Sequence, residues 1–314
     1  MRRGITPFLP FLLLAGAACG DDAPECRVGA DCASGVCLGD GTCAPTGDAD
    51  ARTDDGAPEA TDELDLPPED DGDDAGEIET IGCLPDRDGV ITREEVPVRA
   101  GLRATFRIGL DATVDLAGTT NPDGSRSWDL LGPLAGDHDE LIELLDPTGR
   151  WFAPTFPTAS YAARLSDTEE LLGVFEITAD ALQLLGVVSP EGGLLRTELT
   201  YDPPVTVLAF PLELGDSWTT DSTVSGFASG VWSMYFEAYE SQVDAAGTLA
   251  TPYETFDVLR VGVQLTRTVG VVPTVTRTFS FVSECFGTVA TATSQPNPLQ
   301  VEFSEASEVR RLAP

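Results

Sequence analysis

The chain has 314 residues with 53 acidic and 18 basic side chains, a formal net charge of −35, one His and seven Cys. It contains no lysine, which excludes Schiff-base chemistry and any phosphate loop that depends on that residue. The acidity argues against a nucleic-acid partner, since phosphate binding needs a basic face, while a hydrophobic fraction of 42 % excludes a wholly disordered chain.

Arg2 and Arg3 precede an apolar run from Phe8 to Leu14, and small residues Ala15 to Ala18 lead into Cys19. A charged start, a short apolar stretch and a small-residue site make a secretory signal over residues 1–18. The run is too short to cross about 30 Å of hydrocarbon as a helix. Gly16-Ala17-Ala18-Cys19 resembles the lipobox of bacterial lipoproteins, departing from it at Gly16, where Leu is commoner. The resemblance implies cleavage before Cys19, acylation of its sulfur and new amine, and a membrane tether, since stable anchoring takes more than one acyl chain. An ordinary secretory signal is the alternative; it would leave Cys19 an unpaired thiol in an oxidising compartment. The expected location is the envelope of a Gram-negative-type bacterium, at the outer membrane.

Cysteine parity agrees with this. Assigning Cys19 to lipid leaves six cysteines that can all pair. Cys26, Cys32, Cys37 and Cys43 lie within 18 residues, a segment too small to bury a core, so two disulfides are expected there in any of three connectivities. The spacings are not CxxC pairs and no His accompanies them, which makes zinc the weaker reading. Asp31 to Cys37 resembles the small Dickkopf-like cysteine-rich modules that follow the lipobox in many envelope lipoproteins. The lipidated N-terminus and module thus occupy residues 19–43.

Residues 44–80 hold 15 acids and a single base, Arg52, with four prolines and no aromatic residue. Low hydrophobicity with like charge predicts a disordered acidic linker. Residues 81–314 carry the remaining core. Leu102 to Ile108 alternates apolar and polar, as do Leu195 to Tyr201, Leu259 to Thr266 and Thr276 to Phe281. This period of two predicts half-buried strands. Turns are expected at Asn121 to Gly124, Pro190 to Gly193, Asp202 to Pro204 and Gly270 to Pro273. Ser166-Asp167-Thr168-Glu169 has the form of a capping box and predicts one or two helical turns through Leu172, while Asp139 to Leu145 suits either a short helix or a strand. The predicted fold class is all-β, a large curved antiparallel sheet of ten or more strands, half-barrel or sandwich-like. Cys83 opens this domain and Cys285 is expected in its penultimate strand, so the two are paired. Phe210 to Trp218 and Thr251 to Arg260 resemble an "FPLxxGxSW" strand and a later "P-x-G-T-F-x-x-L-R-V" strand of secreted β-rich bacterial proteins of unknown function, with Glu254 in place of Gly. That resemblance implies a curved open sheet and brings no catalytic residue.

Candidate chemistry is sparse. Gly215-Asp216-Ser217-Trp218 is one letter from the GDSL block of serine esterases. Those enzymes need a late His, whereas the one His here, His138, lies upstream and is expected in a charged loop. Asp86 to Glu95 matches part of an EF-hand loop, but Leu84 stands at the first ligand position and Pro97 blocks the exiting helix, so a charged turn is the better account. The aromatic residues, among them Trp218, Trp232 and Phe236, are expected in the core and in cross-strand pairs. Together these features predict a membrane-anchored, non-enzymatic envelope lipoprotein with no catalytic residue, metal or cofactor. Its β-domain would bind an apolar ligand or an envelope protein. The alternative is a hydrolase using two carboxylates in a β-scaffold cleft.

Overall fold

The computed structural model describes residues 83–314. The signal over residues 1–18, Cys19, the module cysteines Cys26, Cys32, Cys37 and Cys43, and the linker 44–80 lie outside the described residues. Sixteen strands and no helix are found among those described. They are β1 (Val90–Ile91), β2 (Arg103–Thr113), β3 (Thr119–Thr120), β4 (Arg126–Asp129), β5 (His138–Glu143), β6 (Tyr161–Arg164), β7 (Leu172–Ile177), β8 (Ala181–Val188), β9 (Glu198–Ala209), β10 (Leu212–Glu213), β11 (Ser217–Ala228), β12 (Val231–Ala250), β13 (Thr255–Val269), β14 (Val272–Ser283), β15 (Gly287–Ser294) and β16 (Glu305–Leu312).

Twelve of them form one antiparallel path in the order β5-β2-β16-β15-β14-β13-β12-β11-β9-β8-β7-β6. Its two outer strands then meet. Leu145, just past β5, forms a bridge with Ala162 of β6, with N–O distances of 2.7 and 2.9 Å. The expected curved sheet therefore rolls further than a half-barrel, into a nearly closed barrel, as wide sheets do to remove their edges.

The interior is filled. Tyr161, Ala163, Leu182 and Leu208 from one wall pack against Val243, Leu259, Val261 and Val282 from the opposite wall. The small β1–β10 sheet contributes Ile91 and Leu212 to the same cluster. Outside the barrel, β4 pairs in parallel with β12, and Trp128 on it meets Phe281 edge-on at 5.1 Å between ring centroids. Two fully buried arginines clamp the covering segment. Arg260 binds Asp244, Glu302 and the Leu116 carbonyl, and Arg311 binds Asp137 and the carbonyls of Leu130 and Gly132. Charge inside a protein is costly unless paired, and both guanidinium groups are paired several times over.

Because the strands alternate in direction, the barrel has two distinct ends. The Cys83–Cys285 disulfide, with a Cα–Cα distance of 5.3 Å, marks one of them. Cys285 lies in the turn between β14 and β15, ahead of the penultimate strand rather than within it. The turns joining β11 to β12 and β13 to β14, and the loop from β8 to β9, belong to the opposite end.

Three local expectations are corrected. Leu195 to Thr197 belong to a loop, and the strand begins at Glu198. Asp202-Pro203-Pro204 is no turn: β9 continues through it, and the prolines, which have no N–H to donate, fall where the pairing with β8 skips from Thr200 to Val205. The capping-box residues form a turn in which the Glu169 amide donates to the Ser166 hydroxyl, but β7 follows at Leu172 instead of a helix. Nothing after Glu169 supplies the apolar spacing a helix needs to pack. The segment Asp139 to Leu145 resolves as strand, within and just past β5.

Candidate interaction surface

The residues singled out for chemistry do not converge. Ser217 opens β11 at the disulfide end, whereas His138 opens β5 at the other end, several strands away. His138 Nδ1 faces the Gly136 carbonyl at 2.9 Å and Nε2 lies 3.2 Å from Asp167 Oδ2. The Gly136 carbonyl and then the Asp167 carboxylate favour its protonated form and raise its pKa above the ordinary value of 6.5. Beside it Arg164 pairs with Glu140 at 3.1 Å, and the Asp167 amide donates to Glu308 at 2.8 Å. These contacts stitch the β5 and β6 sides of the barrel together, which gives His138 a structural role.

In the partial EF-hand match, Asp86 and Asp88 are joined by Glu284 from the β14–β15 turn, with one carboxylate oxygen of each within 4.8 Å of the others. Glu95 is not among them; it accepts from the amide and hydroxyl of Thr92. Asp86, Asp88 and Glu284 could hold a hard cation in an all-oxygen set. Asp86 and Asp88 are exposed, and the cluster braces a charged turn, with the Arg87 amide donating to Glu284 at 3.1 Å.

A shallow groove of about 340 Å³ runs along β11 to β14, lined in part by Glu240, Asp244, Gln264 and Arg277. Its carboxylates are taken up by neighbours: Asp244 accepts two bonds from Arg260, at 2.8 and 2.9 Å, and Glu240 accepts from Gln264 at 3.0 Å.

The most unusual surface is the end opposite the disulfide. Ser229 and Gly230 both have positive φ, 48° and 80°, which makes the β11–β12 connection a two-residue type I′ turn matched to strand twist. Trp232, Met234 and Phe236 leave this turn on the outer face, 64 %, 61 % and 56 % exposed, with Phe227 across from Trp232 in the ladder. The neighbouring β13–β14 turn presents Val269, Val271 and Val272, and the β8–β9 loop presents Leu194 and Leu195, all exposed. That loop braces the β11–β12 turn, since the Gly230 amide donates to the Arg196 carbonyl at 2.9 Å. Of the expected core and cross-strand places, Trp232 takes a cross-strand one, against Phe227 at 5.7 Å between ring centroids, while the exposure of Trp232 and Phe236 corrects the expectation that they lie in the core.

On the inner face of the same strands the chemistry reverses. Glu237, with its side chain fully enclosed, accepts hydrogen bonds from the Tyr239 hydroxyl and from Arg267 Nε. Burial, together with the neighbouring tyrosine and the Glu237 charge, pushes the Tyr239 hydroxyl well above the usual phenol range. The Arg267 guanidinium lies 5.4 Å from the Tyr235 ring centroid. The alternation Trp232-Ser233-Met234-Tyr235-Phe236-Glu237 carries this uncharged-out, charged-in pattern in the sequence. No family model matches this chain, and neither the curated proteins nor the solved structures contain a match to it.

Proposed function

We propose that the chain is an envelope lipoprotein, tethered to the outer membrane of a Gram-negative-type bacterium by acyl chains on Cys19, whose β-domain acts by non-enzymatic interaction. The observation that carries the interaction role is the apolar hairpin end of an otherwise acidic barrel. Residues 81–314 contain 33 acids and 14 arginines, yet residues 222–236 and 268–276 contain no charge. Large apolar side chains clustered in the open mark interaction sites. The filled interior and the engagement of the groove carboxylates by Arg260 and Gln264 favour a surface that docks over a cleft that reacts or holds an apolar ligand.

Metabolic labelling with a fatty acid, followed by cell fractionation, tests the anchor. Wild type is expected to incorporate label and fractionate with membranes, and Cys19→Ala to lose the label. An unlabelled wild type would overturn the lipoprotein assignment.

A further inference from the structure

Taking the hairpin end as the interaction surface, we infer that its partner is a lipid bilayer, into which the β11–β12 and β13–β14 tips insert to the depth of one leaflet. This rests on the reading above and adds a partner of defined chemistry to it.

The alternation of these strands is inverted relative to a water-facing sheet. Phe227, Trp232, Met234 and Phe236 point outward, while Glu237 and Tyr239 point inward. Apolar-out and polar-in is the pattern strands adopt in hydrocarbon. The extent of the pattern sets the depth. Across β11 to β14 the outer face stays free of charge from the turn down to the row of Ala238, where Asp221 stands opposite, and Glu240 and Arg277 follow one row on; Glu198 and Asp202 of β9, opposite Phe227 and Thr223, bound this apolar face on its β9 side. Six residues separate Trp232 from Ala238, about 20 Å along the strand and less when the strand is tilted. A spanning strand needs roughly 9–11 residues, so this length suits one leaflet and falls short of a crossing.

Backbone pairing permits the insertion. The ladder runs unbroken from Ser217↔Gln242 to Ala228↔Val231, where the two-residue turn closes it. Few N–H and C=O groups are therefore exposed to lipid, where each unpaired one is costly. A second copy fits less well, because each carries the same excess of acid and tip-to-tip pairing would bring two acidic barrels together.

The tether allows the encounter. An acyl chain on Cys19 would hold the whole chain at a bilayer surface. Tethering raises the local lipid concentration, so a modest intrinsic affinity suffices.

The test is flotation of the full chain carrying Cys19→Ala, which has no acyl chain, with vesicles of phosphatidylcholine and with vesicles that also contain phosphatidylglycerol. The protein is expected to float with both. Trp232→Asp combined with Val271→Asp should weaken vesicle binding about tenfold or more, since binding scales with the apolar area inserted. Leu214→Ser, an equally exposed apolar position at the disulfide end, should leave it unchanged. Circular dichroism of each variant establishes that the fold is intact. Failure of Cys19→Ala to float with either vesicle, or equal flotation of the tip variant, overturns the inference. So does a doubled mass in sedimentation velocity that the tip variant abolishes, which would assign the surface to a second copy. The two readings fail separately: fatty-acid labelling of wild type reports on the anchor, and flotation of Cys19→Ala reports on the tips.

Discussion

Glu237 and Arg267 are register partners across β12 and β13, and their side chains meet at 2.6 Å with very unequal exposure, 0 % for the carboxylate and 48 % for the guanidinium. The enclosed group depends on the open one. Removing Glu237 leaves an arginine that can turn to water, whereas removing Arg267 leaves a buried carboxylate held by Tyr239 alone. Arg267→Ala is expected to lower the unfolding free energy by about 3–4 kcal/mol and Glu237→Ala by about 1–2 kcal/mol. Urea unfolding of both variants measures the asymmetry, and equal losses would contradict it.

The His138–Asp167 contact ties the barrel's closing seam to pH. The folded pKa of His138 is raised, so its contribution is complete below the unfolded value of 6.5 and is lost as pH rises through the folded value. Amide-exchange protection of β5, corrected for intrinsic rate, should therefore fall as pH rises above 6.5 and through the raised folded value. His138→Gln should remove that dependence, and an NMR titration of the ring should give a midpoint above 6.5. With its ring 40 % exposed, the effect is confined to the seam.

Cys83 and Cys285 are 202 residues apart, so their bond closes nearly the whole β-domain into one loop. The chain-entropy model gives such a closure about 5 kcal/mol, with less usually realised. The double variant Cys83→Ala, Cys285→Ala is expected to show a markedly lower urea midpoint with an unchanged far-ultraviolet spectrum below the transition. A midpoint equal to wild type would remove any stabilising role for the bond.

Gly247 touches backbone on the parallel strand β4. A Cβ placed there would lie 1.8 Å from the Arg126 carbonyl oxygen and 2.7 Å from its nitrogen, so neither side-chain rotation nor a small shift relieves the clash. Gly247→Ala should cost about 3 kcal/mol or more and free β4 from the barrel wall. The near-ultraviolet signal of Trp128, 3 % exposed in the wild type, should weaken in step.

The strands with one dry face were plain in the alternation, and Leu102 to Ile108 and Leu259 to Thr266 became β2 and β13. Alternation says nothing of which face is dry, however. Around Trp232 and Phe236 the apolar set faces out and the charged set in, a choice fixed only when the sheet rolls up and surrounds Glu237. Closure itself was invisible, because Leu145 and Ala162 belong to segments with no local signal for each other. The disulfide was legible because parity and position left one arrangement, but the bond's place in a turn depended on where β14 ended. Asp202 to Pro204 misled because prolines mark a missing donor as readily as a turn. The third ligand-type residue at the Asp86–Asp88 turn, Glu284, comes from 196 residues downstream and could not be foreseen from the loop.

The sheet order puts β16 between β2 and β15. A chain synthesised N-terminus first must therefore carry β2 unpaired on that side while the 191 residues between Thr113 and Glu305 emerge. Loss of β16 would split the barrel wall rather than trim a tail. Emergence of β16 is then the step that lets this wall of the barrel close. Until then β2 and β15 offer open edges that a holding chaperone would need to cover.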